Sequence, residues 1–230
     1  MTDIEDWSPL DEAESARQIS GLLQLARDKG DGISILDLGC GSGRLAVPLS
    51  SSGCRVVAVD HDRKALDVIA DACGGDAPEL LQLDVLDASS RQMLQTHGPW
   101  DLVLCLGHTF MTFPDVDDAA DLMIWIRLNL HPDGALILDD FPFPLWSELV
   151  EGGWGNGTTE DGAFQMSWEP GDALFVFRSG DEVRSEPAPI EASERPCRLW
   201  SMGALRLLAR HAGLQAPLRD AESGILIFQR

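Results

Sequence analysis

Three carboxylates that close short apolar runs are the side chains here best placed to do chemistry. Asp37 stands in Ile35-Leu36-Asp37-Leu38 just before Gly39, Gly41 and Gly43, Asp60 ends Val56-Val57-Ala58-Val59, and Asp84 follows Leu81-Gln82-Leu83. An ionised carboxylate only accepts hydrogen bonds, so Asp60 can take two from the vicinal hydroxyls of a ribose. An acceptor at Asp84 is placed for the exocyclic amine of a base. Alternate glycines let backbone N–H groups come close to a ligand, and a helix that starts beyond them favours polar or anionic groups there. A single glycine turn can be a plain strand-to-helix connection, but three alternate glycines followed by two more strand-end carboxylates argue for a ligand. A dinucleotide turn would want glycine where Arg44 stands, and Asp37 would repel a pyrophosphate. A ligand that carries an ammonium group suits Asp37 instead.

Further along, His108 follows the run Leu102-Val103-Leu104-Cys105-Leu106-Gly107. A neutral imidazole accepts a proton near neutral pH, which makes His108 the candidate general base for a hydroxyl or a protonated amine. The alternative is a loop histidine bonded to backbone. Asp139 and Asp140 leave a later strand toward the same edge. Phe110, Phe113, Phe141 and Phe143 can line an apolar pocket or pack as core, and Trp154 and Trp168 can cover a substrate or pack among themselves. Arg198 can hold a substrate carboxylate in bidentate fashion or form an internal salt bridge. No Cys/His cluster has metal-ligand spacing, so no metal is expected.

These residues need elements to position them. Apolar residues at three- and four-residue spacing predict a helix over Pro9 to Lys29. Strands are expected at Ile33 to Leu38, Arg55 to Val59, Glu79 to Leu83, Trp100 to Leu104 and Ala135 to Leu138. Helices at Leu45 to Ser51, Asp62 to Cys73, Ser89 to Thr96 and Asp117 to Leu130 alternate with them. That alternation is the pattern of right-handed crossovers in a doubly wound α/β fold with a mostly parallel sheet. After Glu151 the pattern changes to glycines around Trp154 and then to antiparallel strands at Ala163 to Trp168, Ala173 to Ser179 and Glu182 to Ser185. A helix from Met202 to Ala212, capped by Ser201 and closed by Gly213, precedes a last strand at Ile225 to Gln229. The expected organisation is one domain over 1–230, with a helical cap at 1–30 and an antiparallel insertion at 151–198 over the substrate side.

Composition narrows the partners. The chain of 230 residues has 38 acidic and 17 basic side chains, a formal charge of −21. Such a surface repels phosphate backbones and anionic bilayers, and the basic residues are scattered, so neither nucleic acid nor membrane is expected as a partner. Five cysteines without metal spacing, an acidic N-terminus without a secretory pattern, and no apolar run of membrane-spanning length point to the cytoplasm. A monomer or homodimer is expected.

At these residues the chain resembles the class I S-adenosylmethionine-dependent methyltransferases. ILDLGCGSGR is similar to their first motif, VVAVDHD to the acidic second, LQLDVLD to the third, and DLVLCLGHTF to the segment between cofactor and substrate. RLWSMGALRLLARHAGL resembles the helix before their final hairpin. The resemblance implies a seven-stranded sheet with an antiparallel last strand and S-adenosyl-L-methionine as cofactor. It implies Asp37, Gly39, Cys40, Gly41 and Gly43 around the methionine part, Asp60 on the ribose, and Asp84 and the Val85 backbone near adenine. His61 would pack on the adenine and Leu106 would border the cofactor. The insertion resembles the antiparallel cap of small-molecule methyltransferases and so implies a small-molecule acceptor, for which His108, Phe110, Phe141, Trp168 and Arg198 are the candidate residues. The chain has no tyrosine, so any tyrosine contact of the family must be replaced, with Trp7 or Trp200 as candidates.

Overall fold

Strand residues of period two and helices of period 3.6 sort this chain into two apolar layers around one sheet. The computed structural model describes residues 12–75, 77–139, 157–185 and 188–230. Trp7, Asp140, Phe141, Phe143, Gly152, Gly153, Trp154 and Gly155 lie outside them.

The elements run α1 (Glu12–Lys29), β1 (Ser34–Leu38), α2 (Ala46–Ser51), β2 (Arg55–Asp60), α3 (Arg63–Ala72), β3 (Glu79–Gln82), α4 (Ala88–Leu94) and β4 (Trp100–Cys105). They continue with α5 (Val116–Asn129), β5 (Leu130–Asp139), β6 (Phe164–Trp168), β7 (Leu174–Ser179), β8 (Cys197–Arg198), α6 (Met202–Ala212), β9 (Leu218–Arg219) and β10 (Ile225–Gln229). The main sheet has seven strands in the order β3-β2-β1-β4-β5-β10-β9. Its first five are parallel, and β10 enters antiparallel beside β5. The fold is therefore the doubly wound, mostly parallel seven-stranded class expected from the sequence.

Alternation divides the strands cleanly. Ile35, Val56, Ala58, Leu102, Leu104, Ala135 and Ile137 face one layer with Leu22 and Ala26 of α1, Leu49 of α2, and Leu66 and Ile69 of α3. Leu36, Val57, Val59, Val103, Leu136, Leu138 and Phe228 face the other, against Leu94 of α4, Leu122 and Ile126 of α5, and Leu205 and Leu208 of α6. Burying each such aliphatic side chain contributes on the order of 1.5–3 kcal/mol. Four helices start on side-chain caps. Asp62, Asp87, Asp115 and Ser201 accept from the N–H groups of Lys64, Ser90, Asp117 and Ala204. Gly213, at φ +77°, closes α6 in the left-handed conformation that glycine tolerates best.

Three expectations change. The fifth strand begins at Leu130 rather than Ala135, because Trp100 pairs with Leu130 while Leu102 pairs with Ala135. The intervening His131-Pro132-Asp133-Gly134 bulges out of the ladder and hides the strand's start. The third strand of the small antiparallel sheet is Cys197–Arg198 on β7, not Glu182 to Ser185. In that segment the Gln165 carboxamide takes the place of a ladder: its Nε2 donates to the Arg184 carbonyl and its Oε1 accepts from the Arg184 N–H. Finally, β3 stops at Gln82, although the Leu83 N–H still donates to the Asp60 carbonyl.

The small sheet is built on a buried cation. Arg178 on β7 is 1% exposed and donates to both Glu194 oxygens, to Gln165 Oε1, to Ser167 Oγ and to the carbonyls of Ala188 and Pro189. The other side of that sheet is apolar, with Met166, Phe175 and Phe177 in the layer of α5 and α6.

Candidate active site

Strand β1 lies between β2 and β4, so the connections leaving β1 and β4 depart to opposite faces and open a crevice at the carboxyl edge. A cleft of about 360 Å³ occupies it, lined by Gly39, Gly41, Ser42, Asp60, His61, Asp62, Leu83, Asp84, Val85, Gly107, Thr109, Thr112 and Phe113, with Val59 and Ala65. That volume lies in the range of small-ligand sites. Asp60, Asp62 and Asp84 give it a negative rim without lysine or arginine, which favours a cationic ligand over a polyphosphate.

The glycine turn is fixed from the neighbouring strand. The N–H groups of Gly39 and Cys40 donate to the Val59 carbonyl, and the Gly41 N–H donates to Asp60 Oδ2 at 2.8 Å. Asp60 Oδ1 accepts from the Asp62 N–H at 2.8 Å. Each carboxylate oxygen keeps a further lone pair for a ribose hydroxyl. Gly39 has φ +67°, and a Cβ there would meet Thr109 Cγ2 at 2.3 Å. Both backbone and space therefore require glycine. Asp84 braces its own turn by accepting from the Leu86 N–H at Oδ1, which leaves Oδ2 for a ligand.

Asp37 lies beneath the turn, 2% exposed, and its Oδ2 has no hydrogen-bond partner among the described residues. Burial pushes its carboxyl up to about 7; the Arg44 guanidinium opposes this and the Asp60 charge adds to it. Arg44 reaches back to α1, donating to Ser15 Oγ at 3.2 Å. Burial likewise raises the thiols of Cys40 and Cys105, with Asp37 adding to both.

On the far side of the cleft, Gly107 and His108 both take positive φ, and His108 is the one non-glycine to do so among the described residues. Its N–H donates to Asp139 Oδ2 at 2.7 Å. Thr109 Oγ1 donates to the Leu106 carbonyl, and Trp200 Nε1 donates to the Phe110 carbonyl.

Of the residues the sequence pointed to, Gly39, Gly41, Asp60, His61, Asp84, Val85 and Phe113 line this cleft. The others are placed elsewhere. Gly43 packs toward Ile69 and Val47. Cys40 and Leu106 are buried in the α1–α3 layer. Phe110 lies between Phe113 and Trp200 at centroid distances of 5.7 and 5.3 Å, and Trp168 stacks on Phe175. Arg198 is committed to Asp172, to which it donates through both terminal nitrogens, and to the Pro114 carbonyl. Arg198 is thus held in an internal salt bridge, one of the two roles its type suited. Sequence reasoning missed Ser42, Asp62, Gly107, Thr109 and Thr112. The glycine at 107 beside the β4 end was the one local signal for that wall.

A cleft at the switch point, a glycine turn tied to a strand-end carboxylate and a second carboxylate beyond β3 define the class I S-adenosylmethionine-dependent methyltransferase fold. Comparison with known proteins agrees. Residues 35–134 match the methyltransferase domain family. The chain is 33% identical over 109 residues, 47% of its length, to a cypemycin N-terminal methyltransferase of a Streptomyces species. It is 30% identical over 109 residues, again 47% of its length, to a ubiquinone biosynthesis O-methyltransferase of a Caulobacter species. The aligned part spans 42% and 40% of those two proteins. Among solved structures, an S-adenosylmethionine-dependent methyltransferase from Clostridium acetobutylicum superposes with a TM-score of 0.65 at 15% identity, covering 98% of this chain and 95% of the other. An amino pentose methyltransferase from Micromonospora echinaspora gives 0.63 at 14% identity, covering 100% and 98%. Residues 35–134 thus resemble a methyltransferase domain, and the chain has the fold of S-adenosylmethionine-dependent methyltransferases of known structure. Among the described residues, no helix is long and apolar enough to cross a membrane.

Proposed function

We propose that this chain methylates an oxygen or nitrogen of a small molecule, using S-adenosylmethionine and releasing S-adenosylhomocysteine. One observation carries the reading: the glycine turn, Asp60 and Asp84 meet on one cleft, with the unpartnered Asp37 carboxylate under the turn. When bound, S-adenosylmethionine supplies an electrophilic methyl carbon on a sulfonium. In this assignment Asp37 answers the ammonium of its amino-acid end. Asp60 accepts from the ribose hydroxyls, Asp84 accepts from the adenine amine, and Val85, Leu83 and Phe113 enclose the ring. The chain's main contribution is alignment, worth roughly 7–11 kcal/mol in well-oriented cases. His108 takes the acceptor's proton.

Within this reading an amine is the better-suited acceptor, because the cleft rim and Asp139 are negative and attract a cation. An amino pentose methyltransferase among the structural relatives is in keeping with that preference. The five free cysteines fit a reducing cytoplasm, and the charge of −21 disfavours nucleic acid as substrate. We take the working form as a monomer or homodimer, and the small antiparallel sheet as part of an insertion on the acceptor side.

Calorimetry with S-adenosylhomocysteine tests the cofactor assignment, and binding by the folded protein is expected. Incubation with S-adenosylmethionine and a panel of amines, phenols and alcohols, read by mass spectrometry, tests the chemistry. Failure of the folded chain to bind S-adenosylhomocysteine would refute the reading.

A further inference from the structure

His108 combines features that a residue kept only for folding would avoid. Its backbone is left-handed at φ 62°, where glycine would sit without strain. Its side chain is 4% exposed, and neither ring nitrogen has a hydrogen-bond partner among the described residues. Buried polar atoms left unpaired are costly and rare in folded proteins. Asp139, the last residue of β5, faces this ring. Its Oδ2 accepts the His108 backbone N–H at 2.7 Å and lies 3.6 Å from Nδ1, and its side chain is 7% exposed. At 3.6 Å the ring contact is not yet a hydrogen bond, but catalytic contacts of this kind often tighten only around substrate.

We propose that Asp139 is the positioning residue of the acceptor site: one carboxylate oxygen holds the His108 turn through the backbone N–H and fixes the ring by accepting from Nδ1–H. This rests on the reading of His108 as the base. With the Nδ1 proton held by Asp139, Nε2 is the bare nitrogen and takes the proton that the acceptor loses. As the new bond to the methyl carbon forms, the electron pair of the broken C–S bond stays with sulfur. The imidazolium, with Asp139 beside it, later returns its proton from Nε2 to water. A carboxylate oxygen has lone pairs for both N–H groups.

Among the described residues, Asp139 is the carboxylate that pairs with the ring. Cys105, on β4, is influenced by both Asp139 and Asp37. Burial, with these two carboxylates adding to it, holds its thiol neutral. Asp37, on β1, has Arg44 opposing its ionisation cost.

Asp139→Asn separates positioning from mere support. The amide oxygen still accepts the His108 N–H, so the turn is kept, while the charge facing the ring is lost. The measurement is an NMR titration of the full chain with labelled histidine imidazoles, His108 being assigned by its loss in His108→Gln. In the wild type, neutral His108 is expected to carry its proton on Nδ1. In Asp139→Asn the charge that holds the Nδ1 proton is gone, and the share of neutral His108 that carries its proton on Nε2 is expected to rise. With a methyl acceptor in hand, kcat is expected to fall roughly tenfold or more, with KM for the acceptor within about twofold. S-Adenosylhomocysteine affinity is expected to stay within about twofold.

An unchanged His108 tautomer in folded Asp139→Asn would mean that the carboxylate only clamps the backbone, and the proposal fails. Should that variant not fold, the wild-type tautomer decides: a neutral His108 with its proton on Nε2 overturns the proposal. A changed tautomer in a protein that does not bind S-adenosylhomocysteine would sink the methyltransferase reading and leave the pairing of Asp139 with His108 standing.

Discussion

Replacing Asp37 with asparagine changes one property of the cofactor-free protein in a way that can be computed in advance. The Asp37 carboxyl is 2% exposed and pushed up to about 7, from an ordinary value of 3.8, chiefly by burial. Between those two values the folded state binds a proton that the unfolded state releases. Stability attributable to this group therefore falls as pH rises from about 4 to about 7 and is flat above. The shift is roughly three units at 1.36 kcal/mol each, so ionising Asp37 in the empty protein costs on the order of 4 kcal/mol above pH 7. Asparagine does not titrate. The stability difference, Asp37→Asn minus wild type, should then grow by up to about 4 kcal/mol between pH 4 and pH 7. Urea unfolding of both proteins without cofactor, at half-unit pH steps, measures it. The same linkage makes a cationic ligand favour ionised Asp37, so S-adenosylhomocysteine should bind wild type more tightly as pH rises to 7 and bind Asp37→Asn with a flatter profile. A stability difference independent of pH would show that Asp37 ionises normally under the glycine turn, and the electrostatic account of that turn would fall.

Other perturbations have equally definite outcomes. Asp60→Ala removes the acceptor of the Gly41 and Asp62 N–H groups; at about 1.5–3 kcal/mol for a charged hydrogen bond, S-adenosylhomocysteine affinity measured by calorimetry should fall roughly ten- to hundredfold. Gly39→Ala puts a methyl 2.3 Å from Thr109 Cγ2 at φ +67° and should abolish cofactor binding; Thr109→Ser beside it relieves the contact but not the backbone, so calorimetry should find only partial recovery. Arg178→Ala leaves Glu194 without its cation in the small sheet, and thermal unfolding should register a loss of about 3–5 kcal/mol.

Asp60, Asp84 and the glycine turn were legible from sequence because each depends on local chemistry: an apolar run sets the strand, and the residue that ends it must lie at the sheet's edge. Six of the seven strands of the main sheet were legible for the same reason, the two-residue β9 being the exception. Gly107, Thr109 and Thr112 were not, since they reach the cleft only because β4 lies beside β1, an adjacency that no periodicity encodes. The two-residue strand Cys197–Arg198 carries no alternation at all, and Gln165, whose side chain displaced the expected third strand, reads in sequence as an ordinary polar residue. Arg198 shows a different limit. Its type suited both a substrate anion and a salt bridge, and only the position of Asp172 distinguishes them.

The hydrogen bond from Trp200 to the Phe110 carbonyl spans 90 positions of chain, and β10, which follows it, pairs with β5. During synthesis on a ribosome, β1 to β3 can therefore close around the nucleoside half while the opposite wall still waits for Trp200 and β10 to emerge. A nascent chain would be able to grip its cofactor before it could use it, and damage near Trp200 would be felt at a loop 90 positions earlier.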